Sequence, residues 1–256
     1  MNILTQRIRE ANAVGRKAVI PYLPAGYPDK ERFWKELADL DAFGADLIEI
    51  GVPFSDPVAD GPVVEQASLD CLKQGVTLAW ILQELIKRQG RFKAGLVLMG
   101  YYNPFFQYGL ARLGRDAAKA GVSGLIIPDL PLEEMDAARD ALKGSGVSLI
   151  CLVGLNTPAE RLSAYARVAE GFVYFVSVLG TTGVRESLPE TVLAKLDEVR
   201  PHFQVPLALG FGISKPEQVA KFGDRIDAVV IGSALVKHLG QGGTAKEFML
   251  RWIPKP

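Results

Sequence analysis

Leu47-Ile48-Glu49-Ile50-Gly51-Val52-Pro53-Phe54-Ser55-Asp56-Pro57-Val58-Ala59-Asp60-Gly61-Pro62 places one carboxylate inside a short aliphatic run and two more in the Gly/Pro-punctuated loop that follows. Aliphatic residues on both sides of Glu49 predict a parallel-sheet strand whose two faces are both covered. A carboxyl group buried there resists ionisation unless it is paired or solvated, so its pKa rises. Such an acid suits proton transfer near neutral pH. A salt bridge at the strand end is the other reading of Glu49, and this segment alone leaves both open.

Outward from this segment, short apolar runs recur along the chain. Candidate strands are Ala18–Tyr22, Leu47–Ile50, Ala94–Met99, Gly124–Ile127, Ser148–Val153, Gly171–Val176, Pro206–Leu209 and Ala228–Ile231. Helical patterns lie between them. Asp29–Phe43 opens on a capping Asp and carries Phe33, Leu37, Leu40 and Phe43 at helical spacing. Asp129–Leu142 has Pro131 and acidic residues in its first turn, and Ser214-Lys215-Pro216-Glu217 reads as a capping box for Pro216–Phe222. Further helices are expected at Ile3–Ala13, Pro62–Gln74 and Leu78–Arg88. Eight strands alternating with helices predict an α/β fold, a (β/α)8 TIM barrel with extra helices, formed as a single domain over residues 1–256. A doubly wound sheet ranks second, because it usually has fewer strands.

Composition narrows the function. Twenty-nine basic residues balance 29 acidic ones, so no net field favours nucleic acid or an anionic membrane. No apolar run matches a membrane span, and Met1–Arg7 lacks a signal peptide's apolar core. Cys71 and Cys151 are far apart without metal-type neighbours, and read as reduced thiols, Cys151 inside a strand. No metal site and no cofactor motif is expected, and the chain is read as cytoplasmic.

In such a barrel the chemistry sits at the C-terminal ends of the strands. That puts Glu49 at the mouth and Asp60 in the next loop. Tyr22, Tyr101-Tyr102-Asn103, Asp129, Tyr174 and Phe211 fall at other strand ends, and aromatic rings with few polar groups suit a flat, partly apolar substrate. Glycine junctions at Gly180–Gly183, Gly210–Ser214 and Gly232-Ser233 follow strands six, seven and eight. Backbone N–H groups there, with a helix N-terminus, suit a phosphate. Plain turns and helix caps are the alternative.

The stretches Leu47–Pro62, Gly180–Gly183, Gly210–Glu217 and Val230–Leu235, with Pro21–Pro28, resemble one family: the α subunits of tryptophan synthase. The resemblance implies retro-aldol cleavage of indole-3-glycerol phosphate to indole and glyceraldehyde 3-phosphate. It makes Glu49 the acid/base and Asp60 the partner of the indole N–H, with Tyr174 a further active-site residue. It implies substrate contacts at Phe211 and at Thr182, the last in a closing loop, and Tyr22 and Tyr101 are expected to bind substrate from their strand ends at the mouth. Gly183, Gly212, Gly232 and Ser233 would hold phosphate. It also implies a partner, a pyridoxal-phosphate-dependent β subunit in an α2β2 heterotetramer, met by Pro53, Phe54, Asp56 and Pro57. No cofactor is then needed in this chain.

Two positions depart from the family pattern: Val178, where many relatives carry Arg, and Glu65, in place of a common Gln. A stand-alone lyase that releases free indole has the same chemistry and stays open. Indole-glycerol-phosphate synthase is disfavoured because lysines do not occupy the sampled strand ends, and an inactive activating barrel because Glu49, Asp60 and Thr182 are intact. His202, before strand seven, and His238, placed in the last helix, are not expected to act.

Overall fold

The structure is a computed structural model and describes residues 2–177, 190–210 and 212–253. Eight strands close into a barrel in chain order: β1 (Ala18–Pro24), β2 (Leu47–Gly51), β3 (Gly95–Met99), β4 (Val122–Ile126), β5 (Ser148–Gly154), β6 (Val173–Val176), β7 (Leu207–Gly210) and β8 (Ala228–Ile231). Neighbours are parallel throughout, and β8 returns to β1 with Ala18 opposite Ala228 and Pro21 opposite Ile231. The barrel expectation holds, and closure rules out the doubly wound alternative, whose sheet is open. Strand boundaries moved by at most two residues, and β8 is as expected. Pro206 lies before β7 and gives its carbonyl to the Val173 N–H.

The helices are α1 (Ile3–Ala13), α2 (Lys30–Ala42), α3 (Pro62–Lys73), α4 (Leu78–Ile86), α5 (Tyr102–Tyr108), α6 (Leu110–Lys119), α7 (Met135–Leu142), α8 (Ala159–Val168), α9 (Glu190–Val199), α10 (Ser233–Gly240) and α11 (Ala245–Trp252). Asp29 caps α2 as expected, accepting the N–H groups of Glu31 and Arg32. Other helix expectations need correction. Asp129 does not open a helix; its carboxylate accepts the Tyr102 N–H at 2.8 Å and caps α5 across the mouth. The chain then passes through a 3-10 turn at Leu132–Glu134 before α7 begins. At Ser214 the side chain that reaches back is Gln218, not Glu217; it accepts the N–H groups of Ser214 and Lys215 at 2.8 and 2.9 Å. The segment it opens, Pro216–Arg225, is 3-10 rather than α. His238 lies in α10, with α11 still to follow.

Strand alternation decides which side chains face inward. Ala18, Ile20 and Tyr22 join Leu47, Val97 and Met99 in the barrel interior. Val19, Leu23, Ile48 and Ile50 pack outward beneath the helices. With a period of two, Glu49 between Ile48 and Ile50 must point into the barrel. Tyr174 does the same on β6, since Val173 and Phe175 belong to the outer layer.

The N-terminal end of the barrel is sealed. Asn2 caps α1 by accepting the Leu4 N–H at 2.9 Å, and its amide donates to Ser148 Oγ at 2.6 Å. Leu4 is fully buried as a plug. A Cβ at Gly95 or Gly124 would stand 2.9 or 2.8 Å from its methyl groups, so glycine there makes the room. Acids satisfy the strand entries: Asp46 accepts the Val19 N–H at 2.8 Å, Asp41 the Ala94 N–H at 2.7 Å, Glu170 the Leu149 N–H at 3.0 Å and Asp227 the Leu207 N–H at 2.7 Å. Buried N–H groups left without acceptors would each cost about 1–3 kcal/mol. Asp46 is held in turn by Arg16, at 2.6 and 2.7 Å.

Leu4→Ala should therefore destabilise the protein by about 2–5 kcal/mol in urea unfolding, through the cavity left under the barrel. A loss below about 1 kcal/mol would mean that α1 does not plug it.

Candidate active site

β2 delivers Glu49 to the C-terminal mouth. The residue is 2% exposed, and its Oε2 has no hydrogen-bond partner among the described residues. Burial raises its pKa to about 8, with a further push from the charge of Asp60. The strand-end salt bridge considered for Glu49 is absent among the described residues.

The loop after β2 is pinned from several sides. The Val52 N–H donates to the Met99 carbonyl at 2.7 Å, and the Phe54 N–H to Ser68 Oγ at 3.0 Å. The Ala59 N–H donates to the Tyr101 hydroxyl at 2.9 Å, and the Asp60 N–H to the Pro57 carbonyl at 2.9 Å. These bonds hold Asp60, itself buried, beside Glu49. Burial raises the Asp60 pKa to about 6; a hydrogen bond from Tyr101 opposes the rise and the charge of Glu65 adds to it. Glu65 is exposed on the first turn of α3, so it acts on Asp60 from outside. At neutral pH the pair therefore holds its proton on Glu49 and its charge on Asp60.

A cavity of about 290 Å³ opens beside Glu49. Its wall is mostly apolar: Met99, Ile126, Leu152 and Val176 from β3 to β6, with Tyr174 beside Leu152 and with Asn156 and Thr157 among the polar lining residues. None of the four aliphatic residues stood out in the sequence, where each reads as an ordinary strand residue. The inward phase set by Glu49 was the signal that could have found them.

Two tyrosines are seated by glycines. Tyr22 pairs in register with Glu49 across β1 and β2, and a Cβ on Gly51 would collide with the Tyr22 hydroxyl. Tyr174 lies likewise over Gly210, at the end of β7. Both tyrosines have their pKa raised, chiefly by burial and then by the carboxylates.

The glycines expected to meet an anion lie after β7 and β8. Gly212 has φ +80°, which favours glycine, and open space where a side chain would be. Gly232 caps α10 without a side-chain hydrogen bond, and Ser233 is the first residue of that helix. The first-turn N–H groups of a helix have no partners within it, which suits an anion. Thr182, Gly183 and Phe211 lie outside the described residues, as does Val178.

The family model for the tryptophan synthase alpha chain matches residues 8–252. The chain belongs to this family. It is 67% identical over 251 residues to the tryptophan synthase alpha chain of Solidesulfovibrio magneticus, with 98% of each chain covered. Identity to the alpha chain of Picosynechococcus is 42% over 247 residues, covering 96% of this chain and 94% of that one. Among solved structures, tryptophan synthase from Mycobacterium tuberculosis matches with a TM-score of 0.88 at 33% identity, covering 98% of both chains. The a2b2 complex from Pyrococcus furiosus matches at 0.85 and 35% identity, covering 93% of this chain and 98% of that one.

The mouth thus brings together Glu49, Asp60, Tyr22, Tyr101 and Tyr174. Of the loop residues matched to the family's partner surface, Asp56 is exposed and Phe54 half-buried, while Pro53 and Pro57 are buried. Val58, at 78% exposed, faces out with Asp56.

Carbon-13 NMR of labelled carboxyl groups should give midpoints near pH 8 for Glu49 and near pH 6 for Asp60. In Asp60→Asn the Glu49 midpoint should fall, since the neighbouring charge is gone. An unchanged midpoint would separate the two groups electrostatically.

Proposed function

We propose that this chain is the lyase subunit of a two-component tryptophan synthase, cleaving indole-3-glycerol phosphate to indole and glyceraldehyde 3-phosphate. The observation that carries this reading is the unequal carboxyl pair in a mouth whose cavity is walled by aliphatic side chains. Glu49, protonated at neutral pH, delivers its proton to C3 of the indole ring. The ring becomes cationic, and ionised Asp60 stabilises it through the ring N–H. Glu49, now a carboxylate, takes the proton from the hydroxyl on the carbon attached to C3. The bond between that carbon and C3 breaks, its electrons restore the aromatic ring, and the carbon becomes the aldehyde. One proton has moved from the hydroxyl to C3, and Glu49 is reset.

Gly212, Gly232 and Ser233 hold the phosphate in this reading, and the glycine at 212 leaves the backbone free to approach it. Tyr174 packs on the reacting end. The chain supplies the chemistry from its own side chains, and pyridoxal phosphate belongs to the β subunit that receives indole. A cytoplasmic location accords with the absence, among the described residues, of any helix long and apolar enough to cross a membrane.

The partner meets the face where Asp56 and Val58 are exposed. Phe106, on α5, is a further exposed apolar group: it is 58% exposed, and its ring stacks on the half-buried Tyr102 with centroids 5.6 Å apart. Exposed apolar side chains such as Phe106 and Val58 fit an interface.

The reading is tested with purified chain, indole-3-glycerol phosphate and a β subunit. Indole release should rise strongly when the partner is added, and kcat/KM should be bell-shaped with limbs near pH 6 and 8. Glu49→Gln should lose at least about 10³-fold in kcat while substrate affinity stays within about tenfold, because the lost interaction belongs to the transition state. Near-normal turnover by that variant would exclude the mechanism. Phe106→Asp should weaken association with the β subunit by about tenfold or more in titration calorimetry and leave cleavage by the free chain unchanged. Equal affinity would remove α5 from the interface.

A further inference from the structure

The Tyr22 ring runs between the two halves of the mouth. At one end its Cδ1 would stand 3.3 Å from a Cβ on Gly232, at the anion cradle. At the other end its hydroxyl lies over Gly51, two residues past Glu49 on the same inward face. A substrate with its flat ring in the cavity beside Glu49 and its phosphate at Gly212 and Gly232 must pass its linking carbons over Tyr22. Two of the other polar groups there are committed: Tyr101 takes the Ala59 N–H and serves Asp60, and ionised Asp60 only accepts, while the Glu49 proton is the one transferred. No hydrogen bond among the described residues uses the Tyr22 hydroxyl, although the residue is only 8% exposed. A donor in an enclosed mouth without a protein partner is available to a ligand that enters there.

We propose that the Tyr22 hydroxyl is a specificity-determining group that donates a hydrogen bond to a hydroxyl oxygen of the three-carbon chain joining indole to phosphate. Gly51 is part of the device, because any side chain there would push the ring out of its seat. The assignment rests on the substrate and orientation given above. It makes the site selective for a hydroxylated linker over a plain alkyl one, since the deoxy ligand would leave the Tyr22 donor unpaired in a water-poor mouth.

The test measures equilibrium binding in a Glu49→Gln background, which keeps the substrate intact. The ligands are indole-3-glycerol phosphate and indole-3-propanol phosphate, which lacks the chain hydroxyls. Adding Tyr22→Phe should weaken binding of the glycerol phosphate by about 5–10-fold and change the propanol phosphate by less than about twofold. Adding Gly51→Ala, which displaces the ring, should reduce the same preference. Retained affinity for the propanol phosphate shows in each case that the variant is folded. Equal losses for both ligands, or no loss for either, would overturn the role of Tyr22 and leave the proposed activity standing. Failure of the Glu49→Gln parent to bind either ligand would overturn the proposed activity itself, and this assignment with it.

Discussion

Two carboxyl groups share one water-poor barrel mouth, and the arrangement of the rest of the chain follows from keeping them unequal. Glu49 is enclosed by the inward faces of the strands, with no partner for one of its oxygens among the described residues. Asp60 sits on a loop that offers it a hydroxyl from Tyr101. Each is pushed up by burial, but only Asp60 receives compensation, so the proton settles on Glu49. A shift of this size reflects a penalty on the charged form that water would otherwise remove. The chemistry proposed here uses that order directly, with an acid ready to give a proton beside a base that stays charged.

The same fold treats acids at its other end in the opposite way. Asp41, Asp46, Glu170 and Asp227 each accept backbone N–H groups at the strand entries, and Asp46 also holds Arg16. These carboxylates stabilise the barrel by satisfying strand ends that Leu4 and α1 have closed off from water. Glu36, only 1% exposed, is likewise met by Arg32 and the Ala245 N–H, so burial of an acid is no sign of function in itself. The difference between the two ends is whether backbone donors meet the charge.

Glycine performs a second task, which is to let large rings lie flat across strand ends. Gly51 under Tyr22 and Gly210 under Tyr174 follow one pattern: a tyrosine on one strand rests on a glycine that ends the next. The pattern lets tyrosines enter a barrel interior otherwise filled mostly by aliphatic side chains. It also explains why the mouth combines apolar bulk with hydroxyl tips near the carboxylates.

Much of this was legible in the residues alone. The eight apolar runs, the Asp29 cap and the proline-led start of α3 carry local signals, because propensity, capping and strand periodicity act within a few residues. Glu49 and Asp60 stood out because acids in or beside buried runs are costly. The Asp129 cap on α5 and the Gln218 turn were misread, since nothing local says which distant N–H a carboxylate or carboxamide will reach. Met99, Ile126, Leu152 and Val176 were invisible as a wall, and so were Gly51 and Gly210 as seats, because each acquires its role from a residue on another strand. The sequence by itself determined the order of strands and helices and the presence of acids where water would be scarce. Only the tertiary structure decided which acids stayed unpaired, because pairing depends on groups that barrel closure brings together from far along the chain.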